Sequence, residues 1–375
     1  MHGELCMKRE IAVFIIILIL ALLGMYGYLT NPNVQKTIAS YTEEDFSENN
    51  IYSDLPTLAV RLEEEIMKGS DSFTVYLKNM DVDAIDQINN SLDGVFGSGS
   101  TYQQIGTVGN TYKKVSITIK RTTNYYVWKH YVAREPIPET EQKAKQLYEI
   151  VEKIMSECVR DSMSDYEKEL ALHDYLIRNC QYSKNTAQPS GSDIYRAYGA
   201  LVNGDAVCNG YAEALQLLFA CAGLESHFVI GTADGVEHAW NLVKVDGEWY
   251  HLDATWNDPL PDQGNQETHS YFNVSDEVMS ASHQWDGGSY PKAMDMRYNF
   301  YVYQDLYFEN FDEYKNKAYE TMVGEGQNRY EAVMRSYVEN EDDMQFIFMD
   351  NQLYNSVNWQ THCAPEYNVL ILQAE

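Results

Sequence analysis

The sequence predicts an α+β protein of more than one domain, carried behind a single membrane-spanning helix. Three observations predict it. An unbroken apolar run stands near the N-terminus, helical stripes recur between Ala144 and Gly223, and three strand-like segments follow, the last two joined by Asp246-Gly247. At 375 residues the chain exceeds one ordinary domain and is long enough to bury a sizeable core.

Ile11 to Leu23 contain no polar side chain, and the apolar character continues through Leu29. About 20 apolar residues rising ~1.5 Å each span the ~30 Å hydrocarbon layer. Lys8 and Arg9 flank the short N-terminal side, which the positive-inside rule keeps in the cytoplasm, and Tyr26 and Tyr28 suit the opposite interface. Residues 1–10 therefore read as a cytoplasmic N-terminus and 11–29 as a transmembrane anchor, with the rest extracytoplasmic at the cell surface. A cleaved signal peptide competes with this reading, but the run exceeds a usual h-region and Gly27-Tyr28-Leu29 offers no small-x-small cleavage site.

Residues 30–54 are polar and acidic without sustained periodicity and read as a tether. A small α+β domain is expected over 55–134. Phe73 to Leu77 is a strand pattern; Val82, Ile85, Ile88 and Leu92 repeat at helical spacing until Gly97-Ser98-Gly99-Ser100 breaks them. Val115, Ile117 and Ile119 then alternate with polar residues, as in a half-buried strand.

Pro136 and Pro138 mark a linker into a domain expected over 139–290. Ala144, Leu147, Ile150 or Val151, and Ile154 form one helical stripe, and Ser164-Asp165-Tyr166-Glu167 is a capping box opening a second helix through about Asn179. Beyond Cys208, apolar residues at helical spacing run from Ala212 to Ala222 until Gly223. Three strands follow at 227–231, 238–245 and 248–255. Residues 291–375 alternate helical and strand-like stretches, including 345–349 and 369–372, and read as a C-terminal α+β region.

A formal charge of -29 excludes a phosphate-backbone partner, because nucleic-acid binding needs clustered Lys and Arg to replace condensed counterions. The six cysteines stand singly, without CxxC pairs or the density of a disulfide scaffold. Cys6 precedes the anchor. Of the other five, an odd number, at least one stays out of any intrachain disulfide, and Cys208 is the candidate.

Cys208 opens a helix, where unpaired N–H groups and the positive end of the dipole favour a thiolate and can hold an oxyanion. A buried small apolar cysteine is the plainer alternative, and it suits Cys221 inside the same helix. What separates the two is the hairpin. Asp-Gly between alternating apolar residues signals a two-residue turn. If Val245 faces Glu248, then Trp240 faces Asp253 and His238 faces Thr255. His238 and Asp253 become diagonal neighbours on one face, roughly 7 Å apart at Cα. A cysteine nucleophile, a histidine base and an orienting aspartate are then all supplied.

Val207-Cys208-Asn209-Gly210-Tyr211-Ala212, His238-Ala239-Trp240-Asn241 and Trp249-Tyr250-His251-Leu252-Asp253-Ala254-Thr255-Trp256 resemble the three signature blocks of the transglutaminase-like superfamily, in the family's order, within roughly 165–275. The resemblance implies a papain-like core, with the cysteine on a helix and the other two residues on an antiparallel sheet. It implies chemistry through a thioester from a glutamine carboxamide or peptide amide, passed to a lysine amine or to water. Cys208, His238 and Asp253 would be the triad of an acyltransferase or cysteine peptidase or amidase. Tyr198 is the nearest upstream candidate for the oxyanion hole, and Trp240 for a wall of the acyl pocket; both also fit as core aromatics. His173, His251, His269 and His283 lack ligand spacing and read as structural or surface residues, so neither metal nor cofactor is expected. Protein or peptide substrates and the membrane are the expected partners. A surface binding or assembly module that keeps the shape without turnover is the alternative.

Overall fold

A computed structural model describes residues 33, 36, 46–85, 99–108, 111–189, 191–258, 268–288, 290–336, 357–364 and 366–374. The expected anchor at 11–29 lies outside them, and among the described residues no helix is long and apolar enough to cross a membrane. The chain divides into two compact units, one ending at Thr122 and the other beginning at Thr123.

In the first unit a short strand, β1 (Ile51–Tyr52), precedes helix α1 (Leu55–Lys68). Asp54 caps that helix through Thr57 N, Pro56 occupies its first turn where no N–H is needed, and Gly69 closes it at φ 79°. Strands β2 (Ser72–Lys78), β3 (Gly99–Val108) and β4 (Tyr112–Lys120) complete a sheet of order β1-β2-β4-β3. The alternation expected at 115, 117 and 119 is present, with all three side chains buried.

Two local expectations need correction. Phe46 packs edge-on against Tyr76 and Tyr112, and β1 pairs with β2, so the fold begins inside the stretch assigned to a tether. Burying an aromatic ring outweighs the polar character of the residues around it. Strand β3 also starts within the predicted break, because pairing with β4 carries Gly99 and Ser100 into the sheet. The helical pattern expected at 82–92 falls mostly outside the described residues.

The second unit begins with α2 (Thr123–Ala133), so this helix lies beyond the unit boundary and not within a domain ending at 134. Next come α3 (Gln142–Cys158) and α4 (Asp165–Asn179). Helix α3 buries Ala144, Leu147, Val151 and Ile154, and α4 opens on the Ser164–Glu167 capping box with both reciprocal bonds formed. Strand β5 (Gln181–Tyr182) pairs in parallel with β6 (Asp205–Ala206), directly before α5 (Cys208–Ala222), which Gly223 ends in the left-handed region.

Helix α5 packs on a sheet of order β10-β9-β8-β7-β11, made of β7 (Ser226–Ala233), β8 (Val236–Val245), β9 (Glu248–Leu252), β10 (Phe272–Val274) and β11 (His283–Trp285). Asp246 and Gly247 both have positive φ, 50° and 89°, as a type I′ turn requires, and Val245 pairs with Glu248 as expected. The register holds to Asn241 opposite Leu252. There the predicted strand to Thr255 stops, because Asp253 becomes the N-cap of a one-turn helix, α6 (Ala254–Asn257). Capping by the aspartate satisfies two backbone N–H groups that continued strand pairing would not.

The C-terminal part holds α7 (Asp276–Met279), α8 (Phe300–Tyr303), β12 (Tyr307–Phe308), α9 (Phe311–Tyr319), β13 (Arg329–Met334), β14 (Val357–Ala364) and β15 (Tyr367–Ala374). The last three strands and β12 form a sheet of order β12-β13-β15-β14. The segment expected at 345–349 lies outside the described residues; that at 369–372 is in β15. Val369 and Ile371 share a core with Trp240 and Leu242, whereas Leu370 and Leu372 pack with Tyr314 and Ala318. Period-two alternation thus buries both faces of β15, and Ala293, Tyr301, Val333, Val369 and Ile371 share a hydrophobic core with the central sheet.

Candidate active site

The site grows from the N-terminus of α5. Cys208 is its first residue, after the extended Val207. Helix geometry leaves the first-turn N–H groups of Cys208 and Asn209 without an intrahelical acceptor, while those of Gly210 and Tyr211 return to Val207 O. Three features hold this turn in place. Val207 N donates to Ile194 O. Buried Glu213 accepts from Arg196, from Ala197 N and from Asn124 Nδ2, tying down the segment before the cysteine. Gly210 has no room for a side chain, since a Cβ there would come 2.7 Å from Ile194 O and 2.8 Å from Ala206 Cβ.

The helix is held to the sheet by small residues and one amide. Ala212 packs with Phe228 and Ala239, and Asn241 Nδ2 donates to Ala212 O at 3.0 Å. Small side chains let the backbones approach, which brings His238 on β8 to Cys208. His238 Nε2 bonds Asp253 Oδ2 at 2.7 Å, and the Cys208 thiol is near enough to act on the same imidazole. The thiol also points toward Asn209 Oδ1, 3.7 Å away. Cys208 and His238 are 8% and 9% exposed, so both are largely shielded from solvent.

Asp253 is fully buried and saturated. Oδ1 accepts from Thr255 N at 2.9 Å and Trp256 N at 3.2 Å; Oδ2 takes His238 and, at 3.0 Å, His283 Nε2. Burial alone would favour the neutral acid, but His238 and His283 hold the carboxyl well below its usual range. For His238, burial pulls the proton affinity down, and the charge and hydrogen bond of Asp253, with those of Cys208, push it above the usual histidine value. The arrangement favours imidazolium beside the cysteine.

All three expected triad residues therefore come together, His238 and Asp253 by the turn of the chain at the end of β9 rather than by a continued ladder. Trp240 stacks beside His238 at 6.0 Å and donates Nε1 to His251 Nδ1; at 1% exposure it is a floor under the imidazole and not an open pocket wall. Tyr198 is directed elsewhere, its hydroxyl donating to Gln146 Oε1 on α3 at 2.5 Å with Lys143 over its ring. Tyr182 is the tyrosine that lies near the cysteine and Asp253. The β5–β6 pairing sets Tyr182 opposite Ala206, two residues before the cysteine. Its hydroxyl is raised by burial, and further by negative charge on Cys208 and Asp253. No sequence motif signals it; the only hint is an isolated two-residue strand.

His283, expected to be structural or at the surface, is not at the surface: it is a buried partner of Asp253. His173, His251 and His269 are buried in hydrogen-bond networks. Two groups, His173/Asp174/His269 and His238/Asp253/His283, are close enough to hold an ion. In the first, Tyr271 N donates to Asn257 Oδ1, so Asn257 Nδ2 donates to His173 Nε2. His173 Nδ1 then carries its proton toward Asp174 and offers no lone pair to a metal.

Residues 152–254 match the model of the Transglutaminase-like superfamily. The chain is 25% identical over 121 residues to mouse (Mus musculus) kyphoscoliosis peptidase, covering 29% of this chain and 18% of that protein. Identity to the human (Homo sapiens) protein is 23% over 124 residues, covering 30% and 19%. The matched region thus spans under a fifth of the length of these curated relatives. Among solved structures, a TGase aligns at TM-score 0.28 and 16% identity, covering 67% of this chain and 69% of its own. The periplasmic domain of TgpA from Pseudomonas aeruginosa aligns at TM-score 0.25 and 13% identity, covering 44% and 67%.

Proposed function

With residues 152–254 forming a transglutaminase-like domain, we propose that this chain is a thiol acyl-transfer enzyme acting on protein or peptide amides, with Cys208 as nucleophile. One observation carries the reading: a helix-opening cysteine beside a histidine whose Nε2 is held by a buried, fully hydrogen-bonded aspartate.

The chemistry follows from that arrangement. The Cys208 thiolate attacks the amide carbon, the N–H groups at the start of α5 hold the oxyanion, and Tyr182 is the side-chain candidate to assist them. His238 passes its proton to the departing ammonia or amine, leaving a thioester. Water or a lysine amine then attacks the thioester carbon, returns a proton to His238 and releases Cys208. Asp253 holds the imidazole in the orientation both transfers need. Presentation outside the cytoplasm by the apolar segment at 11–29 belongs to the same proposal.

The test is mass spectrometry of a glutamine-containing peptide incubated with the protein, with and without a primary amine, beside Cys208→Ala. A Cys208-dependent amine adduct identifies transfer, and cleavage or deamidation identifies hydrolysis. Product formation undiminished in Cys208→Ala overturns the assignment. If purified protein turns over no amide while its regions outside 152–254 retain a partner, a non-catalytic binding module is the better account.

A further inference from the structure

The acyl-transfer reading uses one histidine on Asp253, but the structure places two. His238 from β8 and His283 from β11 converge on the same oxygen, Oδ2, at 2.7 and 3.0 Å. They are not equivalent. His238 reaches the thiol, whereas His283 Nδ1 is 2.8 Å from Ser282 Oγ, which in turn meets the Tyr271 hydroxyl at 3.1 Å. A serine hydroxyl can donate to Nδ1, which selects the tautomer with its proton on Nε2, directed at Asp253. Tyr271, Ser282, His283, Asp253 and His238 thus form one hydrogen-bonded line that ends beside Cys208. His283 is 1% exposed and packs against Trp256, 4.6 Å between centroids, and Trp240, 5.0 Å.

A second donor on a carboxylate oxygen has a definite consequence. It disperses charge that would otherwise be concentrated on the imidazolium, so the carboxylate attracts that proton less. We propose that His283 is a positioning residue of this site: by donating to Asp253 Oδ2 it tempers the carboxylate, so that His238 releases its proton at lower pH than with Asp253 alone. The inference rests on the acyl-transfer reading and deepens it. An imidazolium held too tightly is a poor acid toward a leaving amine, and acid and base duty both require a proton that can move. The other titratable groups facing this line are Cys208 from α5, Tyr182 from β5, His251 from β9 and Tyr271 ahead of β10. None of these donates to Oδ2.

The test is the rate of Cys208 carboxymethylation by iodoacetate against pH, located by peptide mass spectrometry on the full chain. The thiolate displaces iodide to form a thioether, and the anionic reagent is drawn by the imidazolium, so the alkaline limb reads loss of the His238 proton. His283→Leu should move that limb up by about one pH unit, the effect of one charge-assisted hydrogen bond. His283→Gln, which keeps an N–H donor, should hold it within about 0.3 of a unit of wild type. Ser282→Ala, which frees the tautomer without touching Asp253, should move it upward by a smaller amount and serves if His283→Leu does not fold. An unmoved limb in folded His283→Leu and Ser282→Ala, or a downward shift, overturns the proposal. A wild-type profile with no alkaline limb, or label spread over other cysteines, instead defeats the acyl-transfer reading on which it stands.

Discussion

Buried acids in this chain resolve in opposite directions, and the difference lies in their donors. Asp253 meets four hydrogen-bond donors and stays ionised. Glu169 on α4 is as deeply buried but receives one, from Asn273 Nδ2 at 2.7 Å, and both Glu169 Oε1 and Asn273 Oδ1 are buried without a partner. Burial pushes Glu169 up to about 8 from an ordinary 4.5, with Asn273 opposing only in part. A neutral carboxyl avoids leaving an unpaired charge buried there. A folded-state value above the unfolded one means that the stability contributed is complete below pH 4.5 and is lost as pH rises through about 8. Glu169→Gln should therefore leave melting nearly unchanged at pH 5 and stabilise by about 2 kcal/mol at pH 9, read as a Tm rise of several degrees. Equal Tm values at pH 9 would show that Glu169 is ionised and accommodated.

Helix α5 shows how an element is aimed. Its N-terminus lacks a side-chain cap, since Val207 offers none, and this leaves the N–H groups of its first two residues unconsumed by capping. Position is secured from outside, by Glu213, by Asn241 and by the close seat of Gly210. Gly210→Ala would force the first turn away from Ile194 O and Ala206. A cost of about 1–3 kcal/mol is expected for the overpacking, with peptide turnover falling at least about tenfold as Cys208 moves off His238. Wild-type turnover in a folded Gly210→Ala would show that the turn relaxes without moving the thiol.

Across the second unit as a whole, the C-terminal sheet is joined to the helical layer through an ionic network. His269 Nε2 meets Asp174 Oδ1 of α4 at 3.1 Å, and Nδ1 meets Glu331 Oε1 of β13 at 2.9 Å. Burial lowers the imidazole's proton affinity, but the two carboxylates overcome it and hold His269 up at about 9. The contribution is then fully present below the ordinary value of 6.5 and is lost as pH rises through about 9. His269→Gln should destabilise by about 2 kcal/mol at pH 6, with the gap from wild type closing toward pH 10 in thermal melts. A gap independent of pH would mean that packing against Phe300, 3.7 Å between centroids, is what His269 supplies.

The features legible in the sequence are local ones. The capping box at Ser164, the helix opening at Cys208 and closing at Gly223, and the Asp246-Gly247 turn depend on bonds within a few residues, and each appears where its residues stand. Through that turn's register even His238 and Asp253 could be brought near each other, though Asp253 arrives as a helix cap and not on a strand. Tertiary structure alone decided the rest. Strands β10 and β11 have three residues each, too few for a period to register, and they exist because β9 and β7 offer open edges. His283 reaches Asp253 only across that added edge, and Tyr182 is set opposite Ala206, two residues before the cysteine, only by a two-residue parallel pair. A hydrogen bond between residues 30 apart in sequence leaves no local trace, because its free energy depends on packing that neither segment specifies alone.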